Sequence, residues 1–241
     1  MRIAVISDIH GNLEAFLEVL TDIDQSGVDE IICLGDIIGY GPNPEEVVQK
    51  VRALEIPTIM GNHELAISNK RALKWFNPVA KMSLEKTKAF LSKASIQYIR
   101  ELPLSIVSHG CRFVHGFPPD SVKTYLFQIS EEALLDTFKE MKEKICFIGH
   151  THMLKLIRFD GDSVIEKPLK KGVTKIDTDQ RYIFNIGSVG QPRDDNNNAK
   201  YVIWDTDKNR LELKYIPYDA ESVAERIIAK GLPEVHARRL R

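Results

Sequence analysis

Five short clusters of aspartate, histidine and asparagine, each standing where a β-branched apolar run ends, constrain this chain more than any other feature. They are Asp8-Ile9-His10, Gly35-Asp36, Gly61-Asn62-His63-Glu64, His115-Gly116 and Gly149-His150-Thr151-His152. The runs before them, Arg2–Ser7, Glu30–Leu34, Pro57–Met60, Arg112–Val114 and Ile145–Ile148, predict strands. In open α/β sheets, ligand groups collect beyond the carboxyl ends of strands. Five strands therefore deliver Asp, His and Asn to one rim. Of the 7 histidines, His10, His63, His115, His150 and His152 belong to these clusters, a placement that scattered surface histidines would not show.

The first half alternates strand and helix. Leu13, Phe16, Leu17, Leu20 and Ile23 recur at helical spacing, with Gly27 as a stop, and Asn43-Pro44 reads as an N-cap and first helical residue. That order predicts parallel pairing. Residues from about 65 to 100 are helical in composition. Ser105–Val107 predicts a strand, and Ser130–Lys142 a capped helix. After His152 the pattern turns to short strands, Leu154–Phe159, Ser163–Lys167, Tyr182–Ile186, Lys200–Trp204 and Leu211–Tyr215, which predict an antiparallel ending. A last helix is expected over about 220–230, with Arg238–Arg241 as a solvated tail. One α/β domain spanning 1–241 and built on two packed sheets is the expected organisation, with the helical stretch at about 65–100 as an insertion.

Charge narrows the partners. Lys plus Arg number 33 against 34 Asp plus Glu, a net charge of −1, whereas nucleic-acid domains carry a basic excess. A small phosphorylated substrate, including a nucleotide, is compatible with this balance; a long nucleic acid is not expected. Cys33, Cys111 and Cys146 are odd in number and lack CxxC spacing, so they predict buried apolar thiols in a reducing compartment. With no apolar run long enough for a membrane span, a cytoplasmic protein is expected.

Carboxylate, imidazole and carboxamide without thiolate suit borderline divalent ions such as Mn, Fe, Zn, Co or Ni and disfavour a closed structural zinc site. The Asp-x-His and His-x-His spacings put both side chains on one side only in extended backbone, which predicts that the pairs sit at strand ends or in the first loop residues. Two metals need a bridge, and Asp36, alone after its strand, is the candidate. Asn62 adds a neutral oxygen, leaving His63 free for substrate.

In this order the five blocks resemble the calcineurin-like metallophosphoesterase superfamily, over residues 1 to about 192. The stretch Asn185-Ile186-Gly187-Ser188-Val189-Gly190-Gln191-Pro192-Arg193 and the segment Gly39-Tyr40-Gly41-Pro42 resemble its small prokaryotic branch, which includes YfcE-type phosphodiesterases. The resemblance implies an αββα four-layer sandwich of two mixed sheets flanked by helices. It also implies a binuclear metal centre. Asp8, His10, Asp36 and His152 would hold one ion, and Asp36, Asn62, His115 and His150 the other. A bridging hydroxide would attack phosphorus in phosphoester or nucleotide phosphoanhydride bonds, with His63 on the phosphoryl group or the leaving group.

Two alternatives follow from the same resemblance. Ser/Thr protein phosphatases of the superfamily carry a second Asp and an Arg after the Gly-Asp block, where this chain has Gly39 and Tyr40. Scaffold relatives that lost catalysis, and act through protein interaction, lack the histidine that stands here as His63. Arg193 is either a ligand for a second phosphate or for the leaving group, or a solvated loop residue. Trp75 and Phe76 are either core anchors or a base-stacking platform. The loops around Tyr40 and Phe117–Asp120 are expected at the rim of the site, with Tyr40 in contact with substrate.

Overall fold

The computed structural model describes all 241 residues. In chain order the strands are β1 (Arg2–Ile6), β2 (Glu30–Cys33), β3 (Ser105–Ser108), β4 (Cys111–Val114), β5 (Ile145–Ile148), β6 (Leu154–Phe159), β7 (Val164–Pro168), β8 (Gly172–Lys175), β9 (Arg181–Ile186), β10 (Ala199–Asp205) and β11 (Arg210–Ile216). The helices are α1 (Leu13–Gln25), α2 (Pro44–Ala53), α3 (Asn62–Ser68), α4 (Pro78–Phe90), α5 (Lys93–Glu101), α6 (Glu131–Glu140), α7 (Ala220–Ala229) and α8 (Glu234–Arg238). None is long and apolar enough to cross a membrane.

Two mixed sheets stack, one ordered β2-β1-β10-β11-β8 and the other β3-β4-β5-β9-β6-β7. Alternation along each strand builds the layers. In β1, Ile3 and Val5 face the other sheet, while Ala4 and Ile6 face α1 and α2 and pack with Phe16, Val19, Val47 and Val51. In β5, Ile145 and Phe147 point to the inter-sheet core, while Cys146 and Ile148 meet Leu134 and Phe138 of α6. Helix, sheet, sheet, helix is the αββα sandwich. The three cysteines are buried and unpaired.

Several expectations need correction. Pro57–Met60 is not a strand: it makes one parallel bridge, Thr58 to Cys33. Pro57 has no N–H to donate, and the Met60 N–H turns away to the Pro103 carbonyl at 2.7 Å. The second half is not wholly antiparallel, because β9 runs parallel to β5 and antiparallel to β6. β8 went unread in a lysine-rich stretch; it is an edge strand, where lysines blunt pairing with other chains. The terminal residues are not a solvated tail either. Ala237 and Leu240 pack with Val223 and Ile227 of α7, a contact too brief to show as periodicity.

Phe147 stands between Phe113 and Phe184, with ring centroids 5.3 and 5.6 Å away. Phe147→Ala is expected to remove about 3–5 kcal/mol of stability, read as a lower urea midpoint with an unchanged slope.

Candidate metal centre

The loops that leave β1, β2, β4 and β5, with the start of α3, meet at one end of the sandwich, and their polar side chains are driven inside. Asp8, His10, Asp36, Asn62, His63, His115, His150 and His152 are all buried. The i, i+2 pairs lie in the first loop residues, as expected, but not in extended backbone. Asp8, His10, His150 and His152 have φ of 55°, 51°, 66° and 60°, and Asp36 has 50°. Left-handed backbone turns each chain sharply and aims the side chain into the cluster. It costs a non-glycine residue about 1–2 kcal/mol, so neighbouring bonds must hold it.

Those bonds cross between elements. The Asp8 and His10 N–H groups donate to Gly35 and Asp36 carbonyls at 3.1 and 2.8 Å, and the Gly149 N–H donates to the His115 carbonyl at 2.9 Å. The Ser7 hydroxyl and the His150 N–H donate to Asp8 Oδ2 at 2.6 and 3.1 Å, and the Ser188 hydroxyl donates to the Asp8 carbonyl at 2.9 Å. Glu64 is wholly buried and accepts from the N–H groups of Asp36, Ile38 and Gly61 at 2.7, 3.2 and 2.9 Å, tying the Asp36 loop to the start of α3. Burial and the Asp36 charge push its carboxyl up to about 8, against the pull of those donors. Gly61 leaves the necessary space: a Cβ there would lie 2.1 Å from Asp36 Oδ1.

Lone pairs converge in the centre. His10 and His115 place Nδ1 at 3.0 and 2.8 Å from the Ile38 and Leu34 carbonyls, and His152 Nδ1 does the same with Gln191. A ring nitrogen beside a carbonyl oxygen carries the proton, so each ring turns a bare Nε2 inward. His10 Nε2 then faces His152 Nε2 at 3.1 Å, and His115 Nε2 faces Asn62 Oδ1 at 3.0 Å. Acceptor against acceptor at these distances is unfavourable unless a proton or a cation sits between them. His150 is reversed: its Nε2 is 3.2 Å from the Lys123 carbonyl, which leaves the Nδ1 lone pair free.

His10, Asp36 and His63 form a group able to hold a metal, and it overlaps two others, one of Asp8, His10 and His152 and one of Asp36, His115 and His150. Asp36 lies between them. Its Oδ1 accepts from the His63 N–H at 2.9 Å, while Oδ2 stands 3.7 Å from His10 Nε2 and 3.3 Å from His115 Nε2. Asp8 Oδ1 is buried without a hydrogen-bond partner, 3.2 Å from His152 Nε2. Burial opposes charge on His115, yet the Asp36 and Asp8 carboxylates outweigh it, so positive charge at this Nε2 is favoured, whether a proton or a bound cation carries it. The cluster draws positive charge, as a site for divalent cations must. All seven residues expected to bind metal are thus gathered, and the oxygen and nitrogen donor set fits such ions.

The remaining expected residues divide. His63 is buried with Nδ1 unpartnered and Nε2 3.9 Å from Asp36 Oδ2. Gly39 allows that packing, since a Cβ on it would sit 2.2 Å from His63 Nδ1. Tyr40 is wall and not rim: it is buried, with its ring 4.5 Å from His10, 4.6 Å from His63 and 4.4 Å from His236. Phe117 is likewise no rim residue, because it packs in the core beneath α6; Pro118 and Pro119 line a separate pocket beside Arg112 and Met141, and Lys123 and Tyr125, further along the chain, line the cleft instead. A cleft of about 220 Å³ opens between Asn62, His150, Tyr40, Trp75, Lys123 and Tyr125. Trp75 is 51% exposed, so it is no core anchor, while Phe76 packs edge-on to His63 at 5.0 Å. Arg193 is exposed. Glu64, Ser7, Ser188 and Gln191 went unread as supports, because nothing local marks a polar residue that will hold a distant loop.

A model of the calcineurin-like phosphoesterase superfamily domain matches residues 1–209. The uncharacterized protein MJ0912 of Methanocaldococcus jannaschii is 36% identical over 243 residues, covering 99% of this chain and 96% of that protein. The crystal structure of a metallophosphoesterase from Sphaerobacter thermophilus superposes with a TM-score of 0.86 at 36% identity, covering 100% of this chain and 98% of that one. The hypothetical protein PH1004 of Pyrococcus horikoshii shares the fold at 18% identity, with a TM-score of 0.77, over 99% of this chain and 97% of its own.

Glu64→Ala strands three backbone donors in the interior. At about 1–3 kcal/mol for each unsatisfied group, stability should fall by several kcal/mol in urea unfolding, with weaker divalent-ion binding by calorimetry.

Proposed function

From the chain's membership of the calcineurin-like phosphoesterase superfamily, we propose that it is a metal-dependent phosphohydrolase acting on small phosphorylated substrates through a pair of divalent cations. The observation that carries this reading is Asp36 Oδ2, set between two separate groups of inward-facing donors. Asp8, His10, Asp36 and His152 would hold one ion, and Asp36, Asn62, His115 and His150 the other. The His63 N–H donates to Asp36 Oδ1, while Oδ2 faces the His10 and His115 rings. Bound divalent ions supply Lewis-acid activation of the phosphoryl group and of water.

His63 is the remaining polar side chain aimed at this space. Burial, reinforced by His115 and His152, holds its ring down to about 4, so it is neutral at neutral pH and offers one N–H. That favours a hydrogen bond to a phosphoryl oxygen over delivery of a full proton. Tyr40 and Phe76 pack against its ring and keep it aimed, restricting its rotation.

The cleft favours a substrate whose leaving group carries a flat ring. Trp75 and Tyr125 line it, Tyr125 is stacked on His150 at 3.9 Å, and Lys123 Nζ lies 4.9 Å from the Trp75 ring centroid. A nucleotide offers both the base and the charge these groups would meet. Gly39 and Tyr40 stand where the protein-phosphatase branch carries other residues, which weighs against a phosphoprotein substrate.

Mn-loaded protein should hydrolyse p-nitrophenyl phosphate or its bis ester, lose activity in EDTA and regain it on reloading. His63→Ala should lower kcat/KM by about 100-fold or more without loss of bound metal. Absence of turnover with every divalent ion tried would leave the scaffold reading in its place. Trp75→Ala should raise KM about 10-fold for nucleotides, the loss of one stacking contact, and leave KM for an alkyl phosphate unchanged.

A further inference from the structure

The C-terminal helix lies beyond the residues matched by the family model, yet it reaches the candidate centre. α8 buries His236 against Tyr40, whose ring also touches His10 and His63. Gln191 joins this helix to the cluster. Its carbonyl accepts from His152 Nδ1, its side-chain nitrogen lies 3.5 Å from His236 Nδ1, and its Oε1 accepts from Arg239 Nη1 at 3.4 Å. His236 Nε2 is buried without a hydrogen-bond partner. Arg193 follows two residues after Gln191.

Charge pairing on this segment is uneven. Arg238 pairs with Glu234, Arg241 with Glu221 and Arg226 with Glu14. Arg193 and Arg239 take part in no such pair, although they are close enough for Arg193 to depress the Arg239 guanidinium beyond what burial does. Both also act on the Tyr40 phenol, and both help hold His236 down to about 3, behind burial as the main cause. Two guanidinium groups with no carboxylate in ion-pair distance, Asp194 beside Arg193 being paired with Lys200, present near the centre a field suited to a polyanion.

We propose that Arg193 and Arg239, backed by Tyr40 and His236, form an anion subsite for a second phosphate of the substrate. The substrate class is then a diphosphate, polyphosphate or bisphosphate compound. Arg193 and Arg239 would take that second group in bidentate hydrogen bonds, while the first lies at the metal centre. This deepens the phosphohydrolase reading and rests on it for the position of the first phosphate.

Methylenebisphosphonate and methylphosphonate, one with two phosphonate groups and one with a single group, separate the subsite from the chemistry because neither is hydrolysed. On Mn-loaded protein, calorimetry should give at least about 10-fold tighter binding of the bisphosphonate, one good charge-assisted contact. Arg193→Gln and Arg239→Gln should each erase most of that advantage and leave methylphosphonate affinity within about 2-fold. Arg238→Gln, on the solvent side of the same helix, should change neither. Equal affinities for the two ligands, no measurable bisphosphonate binding, or an advantage that survives in the double variant would overturn the subsite. An intact advantage in a protein that hydrolyses no phosphate would instead remove the phosphohydrolase reading and leave the anion site standing.

Discussion

Unshared electron pairs gathered in a buried space are the constraint on which the rest of the molecule turns. Three imidazoles are locked by backbone carbonyls so that Nε2 points inward, and two aspartates and one asparagine point at the same volume. In a low-dielectric interior such acceptors repel one another unless positive charge sits among them. The raised His115 and the unpartnered Asp8 oxygen are two signs of that demand. A fold that keeps these groups together favours positive charge among them.

Holding the arrangement takes a large share of the polar interior. The left-handed backbone at five of the candidate ligands is unfavourable residue by residue, and cross-loop hydrogen bonds offset it. Glu64 is the clearest case, one carboxylate serving three backbone donors on two loops. The glycines serve the same end by absence, since a methyl group at Gly39 or Gly61 would strike a side chain of the cluster. Rigid strands behind the loops then transmit their register to the side chains. The C-terminal helix adds a further wall through Tyr40 and His236, so the centre is enclosed by elements from both ends of the chain.

Most of the sandwich was legible in the sequence because β1, β5 and β10 are short, nearly continuous apolar runs, the mark of strands covered on both faces. Where the expectation failed, a competing local effect was at work. Pro57 withheld a donor and left one bridge, lysines masked edge strand β8, and α8 was too short to display a period. The site was legible for a different reason. Metal chemistry restricts residue type so strongly that Asp, His and Asn at strand ends stand out without any coordinates. Supporting residues carry no such mark, since a serine, glutamine or glutamate that braces a loop looks like any other until its partner is known.

What the chain determined alone was therefore the donor set, the order of its blocks and the sheets that carry them, all consequences of residue chemistry and short-range periodicity. The tertiary structure decided how those donors are aimed. It set left-handed backbone in place of extended pairs, Oδ2 of Asp36 as the oxygen facing both groups, Tyr40 as a buried wall, and Trp75 at the mouth of the cleft. It also brought Arg239 beside residues far away in the chain. Direction in space depends on contacts between segments distant in sequence, and no local pattern encodes where two such segments will meet.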